Sequence, residues 1–356
     1  MTETTPAQDK SDAIHFKKMN CTIVSYLQRW ELYQDRFLNC ISNQIVEMQQ
    51  QQENQISLVL EKKDKSRITI NFYSFSPSKN INIKMDFDIL WCWKFPIEYV
   101  PQPSGLRWIQ TISAGVDQIL EKRSLPEEII ITNAKGFQAE PIAEYVLGAI
   151  LGHAKGLFYN VQANKDKRMK SMMPDTLNKK VLGIIGTGNI GSKIAQIARN
   201  FGLKTIGLKK HPGRRPAGFE RVYLPSDATD FYKTVDYLVI AAPLTPETRN
   251  MINDRVLRLL PQGAYLVNVG RGEIIVEEDL IRAVKEGHLS GATLDVWRKK
   301  TPQPDFFDQE RFLITPHFSG FSRYYAQHAA TIFGQNLLRF INREPLNFVI
   351  DRSNGY

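Results

Sequence analysis

The sequence predicts an α/β protein of two domains, one of them built on a parallel sheet and inserted within the other. Three observations predict this. Residues 181–314 alternate short apolar runs with amphipathic helical segments, the pattern of a parallel sheet covered on both faces. A chain of 356 residues exceeds what one core usually holds. A long helical stretch leads into residues 181–314 and another follows them, so the chain leaves a first domain and returns to it.

The first 16 residues are polar and carry no apolar secretory core, so they are expected to be loose and the chain cytoplasmic. No apolar run approaches the roughly 18 residues of a membrane span, and no membrane partner is expected. Strands are expected at "TIVSY", "ISLVL", "RITINFY", "RWIQTI" and "EIIIT", with "ISLVL" and "RITINFY" forming a hairpin across the charged "EKKDKS". The glutamine-rich "NQIVEMQQQQEN", residues 43–54, reads as a solvated helix or loop. Cys21, Cys40 and Cys92 are odd in number and widely spaced, which fits neither a disulfide framework nor a zinc site.

"AEPIAEYVLGAILGHAKGLFYNVQANKDKRMK" is read as one long helix into the second domain. There the strands are "VLGII", "TIGL", "YLVIA", "AYLVNV", "ATLDV" and "FLI", with helices at "PETRNMINDRVLRLL" and "EEDLIRAVKEG" between later ones. After "VLGII", the residues Ile190, Ile194, Ile197, Ala198 and Phe201 recur at helical spacing, and Gly202 is placed to stop that helix. "SRYYAQHAATIFGQNLLRFI" is a helix returning to the first domain.

"GTGNIG" sets Gly186, Gly188 and Gly191 between a strand and a helix. Gly186 permits a tight turn and Gly188 lets a pyrophosphate approach the backbone. Gly191 allows close packing, and the helix start offers N–H donors, here Asn189 and Ile190. A dinucleotide site is expected. An acidic residue roughly 20 positions beyond such a turn would bind the ribose hydroxyls of NAD. Lys209 stands there instead, followed by Lys210, His211, Arg214 and Arg215, which suit a 2′-phosphate, so NADP is expected in preference to NAD. This cluster also gives the net charge of +9 a use other than nucleic acid, for which no motif occurs.

With "SAGVD" at 113–117, "TNAKGFQAEPIAEYVLG" at 132–148, "PLTPETRNMIN" at 243–253, "VNVGRG" at 267–272, "LDVW" at 294–297 and "TPHFSG" at 315–320, the chain from about Trp91 onward resembles the D-isomer-specific 2-hydroxyacid dehydrogenases, especially their glyoxylate/hydroxypyruvate reductase branch. The first 90 residues match poorly. The resemblance implies a Rossmann coenzyme domain inserted into a flavodoxin-like substrate domain, in a homodimer held by the long crossover helix. The boundaries it suggests are 17–141 with 320–356 for the substrate domain and 142–319 for the coenzyme domain. It also implies reduction of a small 2-oxo acid to the D-2-hydroxy acid.

Such chemistry needs a cation for the substrate carboxylate and an acid for the developing alkoxide. The resemblance implies that Arg271 is that cation and His317 that acid. It further implies that Ala114 and Gly115 donate backbone N–H groups to the carboxylate, that Trp93, Lys94 and Phe95 reach the substrate, and that Pro243 and Asp295 contact the cofactor, Asp295 through the nicotinamide amide. One departure stands out. The glutamate that in the family follows "LDVF" and hydrogen-bonds the histidine is absent, and Lys300 or Thr301 occupies its place in "LDVWRKKTP". Asp305, Asp308 or Glu310 could serve instead, Lys300 could contact an anionic substrate, or catalysis could be slow or lost. An alternative function is therefore a dinucleotide-sensing interaction protein, as the family's transcriptional corepressors illustrate.

Overall fold

The computed structural model describes residues 20–27, 31–52, 55–75, 87–93, 105–120, 125–165, 167, 173–299, 301–307 and 311–352. The expectations for the first 16 residues and for Lys94, Phe95, Lys300, Asp308 and Glu310 lie outside them. The chain divides into two compact units, one running to Lys135 and resuming at Tyr324, the other Gly136–Arg323.

The first unit holds a seven-stranded sheet: β1 (Asn20–Tyr26), β2 (Ile45–Gln52), β3 (Gln55–Glu61), β4 (Arg67–Phe75), β5 (Ile89–Cys92), β6 (Trp108–Thr111) and β7 (Ile130–Thr132). Its order is β2-β3-β4-β1-β5-β6-β7. Strands β4, β1, β5, β6 and β7 are mutually parallel, which is the flavodoxin-like order, with β3 and β2 added antiparallel at one edge. Trp91 is fully buried and stacks on Phe333 of the helix Tyr325–Ile341, ring centroids 4.1 Å apart, while Phe37 and Phe72 close around it. This aromatic cluster fixes the returning helix to the sheet.

The glutamine-rich stretch is strand β2, a correction to the helix or loop expected. Glutamine has little β preference, but Met48 and Gln49 pair with Leu58 and Ser57 of the apolar β3, and that pairing decides the conformation.

The second unit holds β8 (Val181–Ile185), β9 (Lys204–Leu208), β10 (Arg221–Tyr223), β11 (Tyr237–Ile240), β12 (Ala264–Asn268), β13 (Leu289–Leu294) and β14 (Phe312–Ile314), in the order β10-β9-β8-β11-β12-β13-β14. Every pairing is parallel, and the central β11 and β12 are buried at each position, so both faces are covered. This is the doubly wound order, which reverses direction between β8 and β11.

Two helical expectations are corrected here. The long crossover is two helices, Ala139–Ala154 and Leu157–Lys165, because Gly156 takes a φ of +65° that no helix continues. "PETRNMINDRVLRLL" keeps only the short helix Asp254–Leu257; Asn250 has a φ of +56°, and Ile252 bridges to Ile275 in strand fashion. Gly202, at φ +78°, ends the helical run after β8 as expected.

Among the described residues no helix is long and apolar enough to cross a membrane, and no cluster of His, Cys, Asp and Glu has the make-up of a metal site.

Candidate active site

Nearly every residue singled out in the sequence lies at the carboxyl end of a strand, where loops of parallel sheets gather ligand-binding groups. In the second unit, Gly186 follows β8, Lys209 follows β9, Pro243 follows β11, Arg271 follows β12, Asp295 follows β13 and His317 follows β14. In the first, Trp93 follows β5 and Ala114 and Gly115 follow β6.

The three glycines of the turn answer different needs. Gly186 has a φ of +94°, and a Cβ there would lie 2.8 Å from the Ala241 carbonyl oxygen. A Cβ on Gly191 would lie 2.0 Å from the Gly186 carbonyl oxygen, so the helix Asn189–Ala198 reaches the strand only without a side chain there. A Cβ on Gly188 would meet nothing within 4 Å. Packing requires the first and third glycines; the second leaves an open surface at the helix start, where Gly188 and Asn189 are exposed. That space and the unsatisfied first N–H groups of the helix fit a pyrophosphate.

The basic loop after β9 is more ordered than a run of solvated cations. Lys209 donates to the carbonyls of Gly213 and Arg214, both at 3.2 Å, and Arg215 donates to the Glu220 carbonyl at 2.6 Å. Lys210 pairs with Glu247 at 2.8 Å and holds that carboxyl down at about 2. Glu247 also accepts the Thr245 hydroxyl, and Thr248 donates to the Pro243 carbonyl, so the loops after β9 and β11 are tied together. The Arg214 side chain is exposed, with no partner among the described residues.

At the end of β12, the fully buried Asn268 shapes the "GRG" turn. It accepts the Gly270 N–H at 3.0 Å and donates to the Arg271 carbonyl at 3.0 Å. A Cβ on Gly272 would fall 2.1 Å from the Trp297 backbone, which brings the turn hard against "LDVW". Arg271 is half-buried and donates to the Gly270 carbonyl at 2.8 Å.

Asp295 is fully buried. One of its oxygens accepts the Thr315 hydroxyl at 2.6 Å and the Phe318 N–H at 3.0 Å, and the other accepts the Ser319 N–H at 2.9 Å. The carboxylate therefore grips the "TPHFSG" loop on both sides of His317. His317 is exposed, with a φ of +54° that non-glycine residues seldom adopt. One lone pair remains on the second oxygen.

The two described cations of "LDVWRKK" differ. Arg298 folds back, its N–H donating to the buried Glu277 carboxylate at 2.8 Å and its guanidinium to Asn250 and to the Ile275 and Glu273 carbonyls. Lys299 and Thr301 are exposed. Of the carboxylates considered as replacements for the family glutamate, Asp305 is committed elsewhere, to Lys285 at 2.7 Å.

In the first unit, the carbonyls of the "SAGVD" loop are tied back in succession. Ser113 O accepts from the Thr111 hydroxyl at 2.8 Å and the Ala134 N–H at 3.0 Å, Ala114 O from the Asn133 side chain at 2.7 Å, and Gly115 O from the Ser113 hydroxyl at 2.8 Å. The N–H groups of Ala114 and Gly115 have no partner among the described residues. Two open amides on a loop whose oxygens are withdrawn are donors of the kind that suit an anion. Trp93 is 41% exposed at the end of β5.

Sequence reasoning missed four residues: Asn133, Tyr145, Asn268 and Thr315. All four lie inside quoted motifs; the partners of Asn133, Tyr145 and Thr315 are fixed by the fold, whereas Asn268 bonds within its own turn.

A doubly wound sheet with this glycine turn, in a chain that also holds a flavodoxin-like unit, defines a two-domain dinucleotide-binding protein. The family model for the NAD-binding domain of D-isomer-specific 2-hydroxyacid dehydrogenases matches residues 147–319. The D-3-phosphoglycerate dehydrogenase of Methanocaldococcus jannaschii is 30% identical over 268 residues, 73% of this chain and 50% of that protein. The glyoxylate/hydroxypyruvate reductase A of Serratia proteamaculans is 28% identical over 272 residues, 74% of this chain and 86% of that protein. A solved structure from Aeromonas salmonicida, a D-isomer-specific 2-hydroxyacid dehydrogenase family protein, superposes with a TM-score of 0.75 at 26% identity, covering 93% of this chain and 99% of that one. The chain belongs to the D-isomer-specific 2-hydroxyacid dehydrogenase family. Its match spans half the length of the Methanocaldococcus relative.

Proposed function

We propose that the protein is an NADPH-dependent reductase of a small 2-oxo acid, of the glyoxylate or hydroxypyruvate class, yielding the D-2-hydroxy acid. The observation that carries this reading is the "SAGVD" loop, whose three tied-back carbonyls leave the amides of Ala114 and Gly115 open to a carboxylate. In this reading those amides and Arg271 receive the substrate carboxylate, Arg271 polarises the carbonyl, and His317 gives its proton to the developing alkoxide. NADPH, when bound, supplies the hydride. The turn at Gly186, Gly188 and Gly191 holds its pyrophosphate against the amides of Asn189 and Ile190. Preference for the 2′-phosphate rests on the absence of a carboxylate at Lys209 and on Arg214, with Lys210 and Arg215 in the same loop. Trp93 and Lys94 border the substrate, Pro243 and Asp295 the cofactor, and the working unit is a homodimer.

The test is a screen of purified protein with NADPH and NADH against 2-oxo acids of increasing size. Oxidation of NADPH with glyoxylate or hydroxypyruvate is expected. Arg271→Ala should lose most of it, as should His317→Asn, which tolerates the left-handed backbone. Binding of NADPH without turnover of any 2-oxo acid would overturn the reading.

A second reading, a dinucleotide-sensing interaction protein, is favoured by Asp305, which is drawn away to Lys285 instead of replacing the family glutamate. Full biological activity in an Arg271→Ala variant would select it.

A further inference from the structure

We infer that Tyr145 is a positioning residue for His317: from the helix Ala139–Ala154 its side chain holds both residues that bracket Pro316 and His317. The inference rests on the reading of His317 as the proton donor.

The direction of the hydrogen bonds follows from counting hydrogens. Asp295 is a buried carboxylate that already accepts two backbone N–H groups, from Phe318 and Ser319, and has no hydrogen to give. The single hydroxyl hydrogen of Thr315 therefore goes to Asp295, at 2.6 Å. The Tyr145 hydroxyl lies 2.6 Å from the same Thr315 oxygen, which has only lone pairs left to offer, so Tyr145 is the donor. Burial supports this by holding the phenol neutral, its pKa pushed up to about 12.

The ring makes the second contact. Tyr145 meets Phe318 edge to face, centroids 5.9 Å apart and planes at 87°. One side chain thus holds Thr315 through its hydroxyl and Phe318 through its ring, and His317 stands between them at a φ of +54°. In a chain without the family glutamate, this clamp fixes the histidine through its backbone on both sides. No pattern in the sequence announces it, because Tyr145 is 170 positions from Thr315.

The test compares Tyr145→Phe, Thr315→Val, the double variant and Thr315→Ser in the full chain. Tyr145→Phe keeps the ring and removes only the donor, so kcat should fall by about 3- to 10-fold with the KM values for NADPH and the 2-oxo acid unchanged. The double variant should be no slower than Thr315→Val alone, since both remove one chain of bonds, and Thr315→Ser should restore the wild-type rate. Hydrogen exchange at the Phe318 and Ser319 amides should quicken in Tyr145→Phe by a similar factor. Wild-type kcat and exchange in Tyr145→Phe, or additive losses in the double variant, would overturn the inference. The exchange measurement needs no turnover: if no 2-oxo acid is reduced, the functional reading fails while exchange still decides whether Tyr145 holds the loop.

Discussion

The N–H of Arg298 donates to the carboxylate of Glu277 at 2.8 Å, and Glu277 is 2% exposed. Glu277 also accepts the Gln303 side-chain amide at 2.8 Å, so one buried carboxylate holds the chain on both sides of Lys299 and Thr301. Both flanks of the segment in which the family glutamate is lost are therefore anchored to the start of the helix Glu277–Lys285. Glu277→Ala leaves the part-buried Arg298 amide without its acceptor and should cost about 1–2 kcal/mol in urea unfolding. Glu277→Gln, which still accepts one N–H, should cost about half as much. Equal stability of both variants and wild type would show that the anchor holds nothing.

The glycine turn separates folding from binding. Gly188→Ala places its methyl group in open space, so the melting temperature should stay at the wild-type value while the dinucleotide Kd rises by about tenfold or more, roughly 1.4 kcal/mol. Gly191→Ala drives a methyl group into the Gly186 carbonyl and should destabilise the fold by several kcal/mol. Calorimetry and fluorescence titration on the two variants check both halves. A Gly188→Ala protein that binds normally would place the pyrophosphate elsewhere.

What was legible in the sequence was what depends on near neighbours. Six of the seven strands of the second unit show as apolar runs, the short β10 being the exception, and the close approach at Gly191 is made by Gly186, five positions away. Strand β2 was not legible, because glutamines take their conformation here from pairing with β3. The segment after Pro246 misled by helical spacing, since the bridge from Ile252 to Ile275 pulls it into a register that only the fold supplies. At the site, Gly186, Arg271 and His317 announce themselves through their motifs. Of the residues that hold the last two, Asn268 acts within its own turn, while Tyr145 and Thr315 act through partners set by chain crossings. The cations of "LDVWRKK" looked alike in sequence, and burial of Glu277 is what sets Arg298 apart as a staple.

The pair Lys210–Glu247 makes a prediction about cofactor choice. Glu247 takes one cation out of the cluster proposed to bind the 2′-phosphate, and it adds a negative charge to the same surface. Glu247→Gln should release Lys210 and tighten NADPH binding by a few-fold, with NADH binding nearly unchanged and the difference shrinking as salt is raised. Competitive titration of the two cofactors at two salt concentrations measures this. Equal gains for NADPH and NADH would remove Lys210 from the 2′-phosphate site.

His153 supplies a pH dependence. It lies largely buried at the end of the helix Ala139–Ala154, stacked on Tyr265 with centroids 3.8 Å apart, and its Nε2 is 3.0 Å from the Ser290 hydroxyl. Burial pulls its pKa from 6.5 down to about 4, outweighing the opposing pull of Asp175. The unfolded chain therefore binds a proton that the folded chain refuses between these values. The stability contributed by the neutral ring is complete above pH 6.5 and is lost as the pH falls through 4. At about 1.4 kcal/mol per unit, less an allowance for partial solvent access, the loss across that window is about 2–3 kcal/mol. His153→Gln, which does not titrate, should be less stable at pH 7 because the stacking is gone, yet should lose correspondingly less on going from pH 7 to pH 4. Urea unfolding of both proteins at pH 7, 5.5 and 4 decides it: parallel pH dependences would mean that His153 is protonated without cost in the fold.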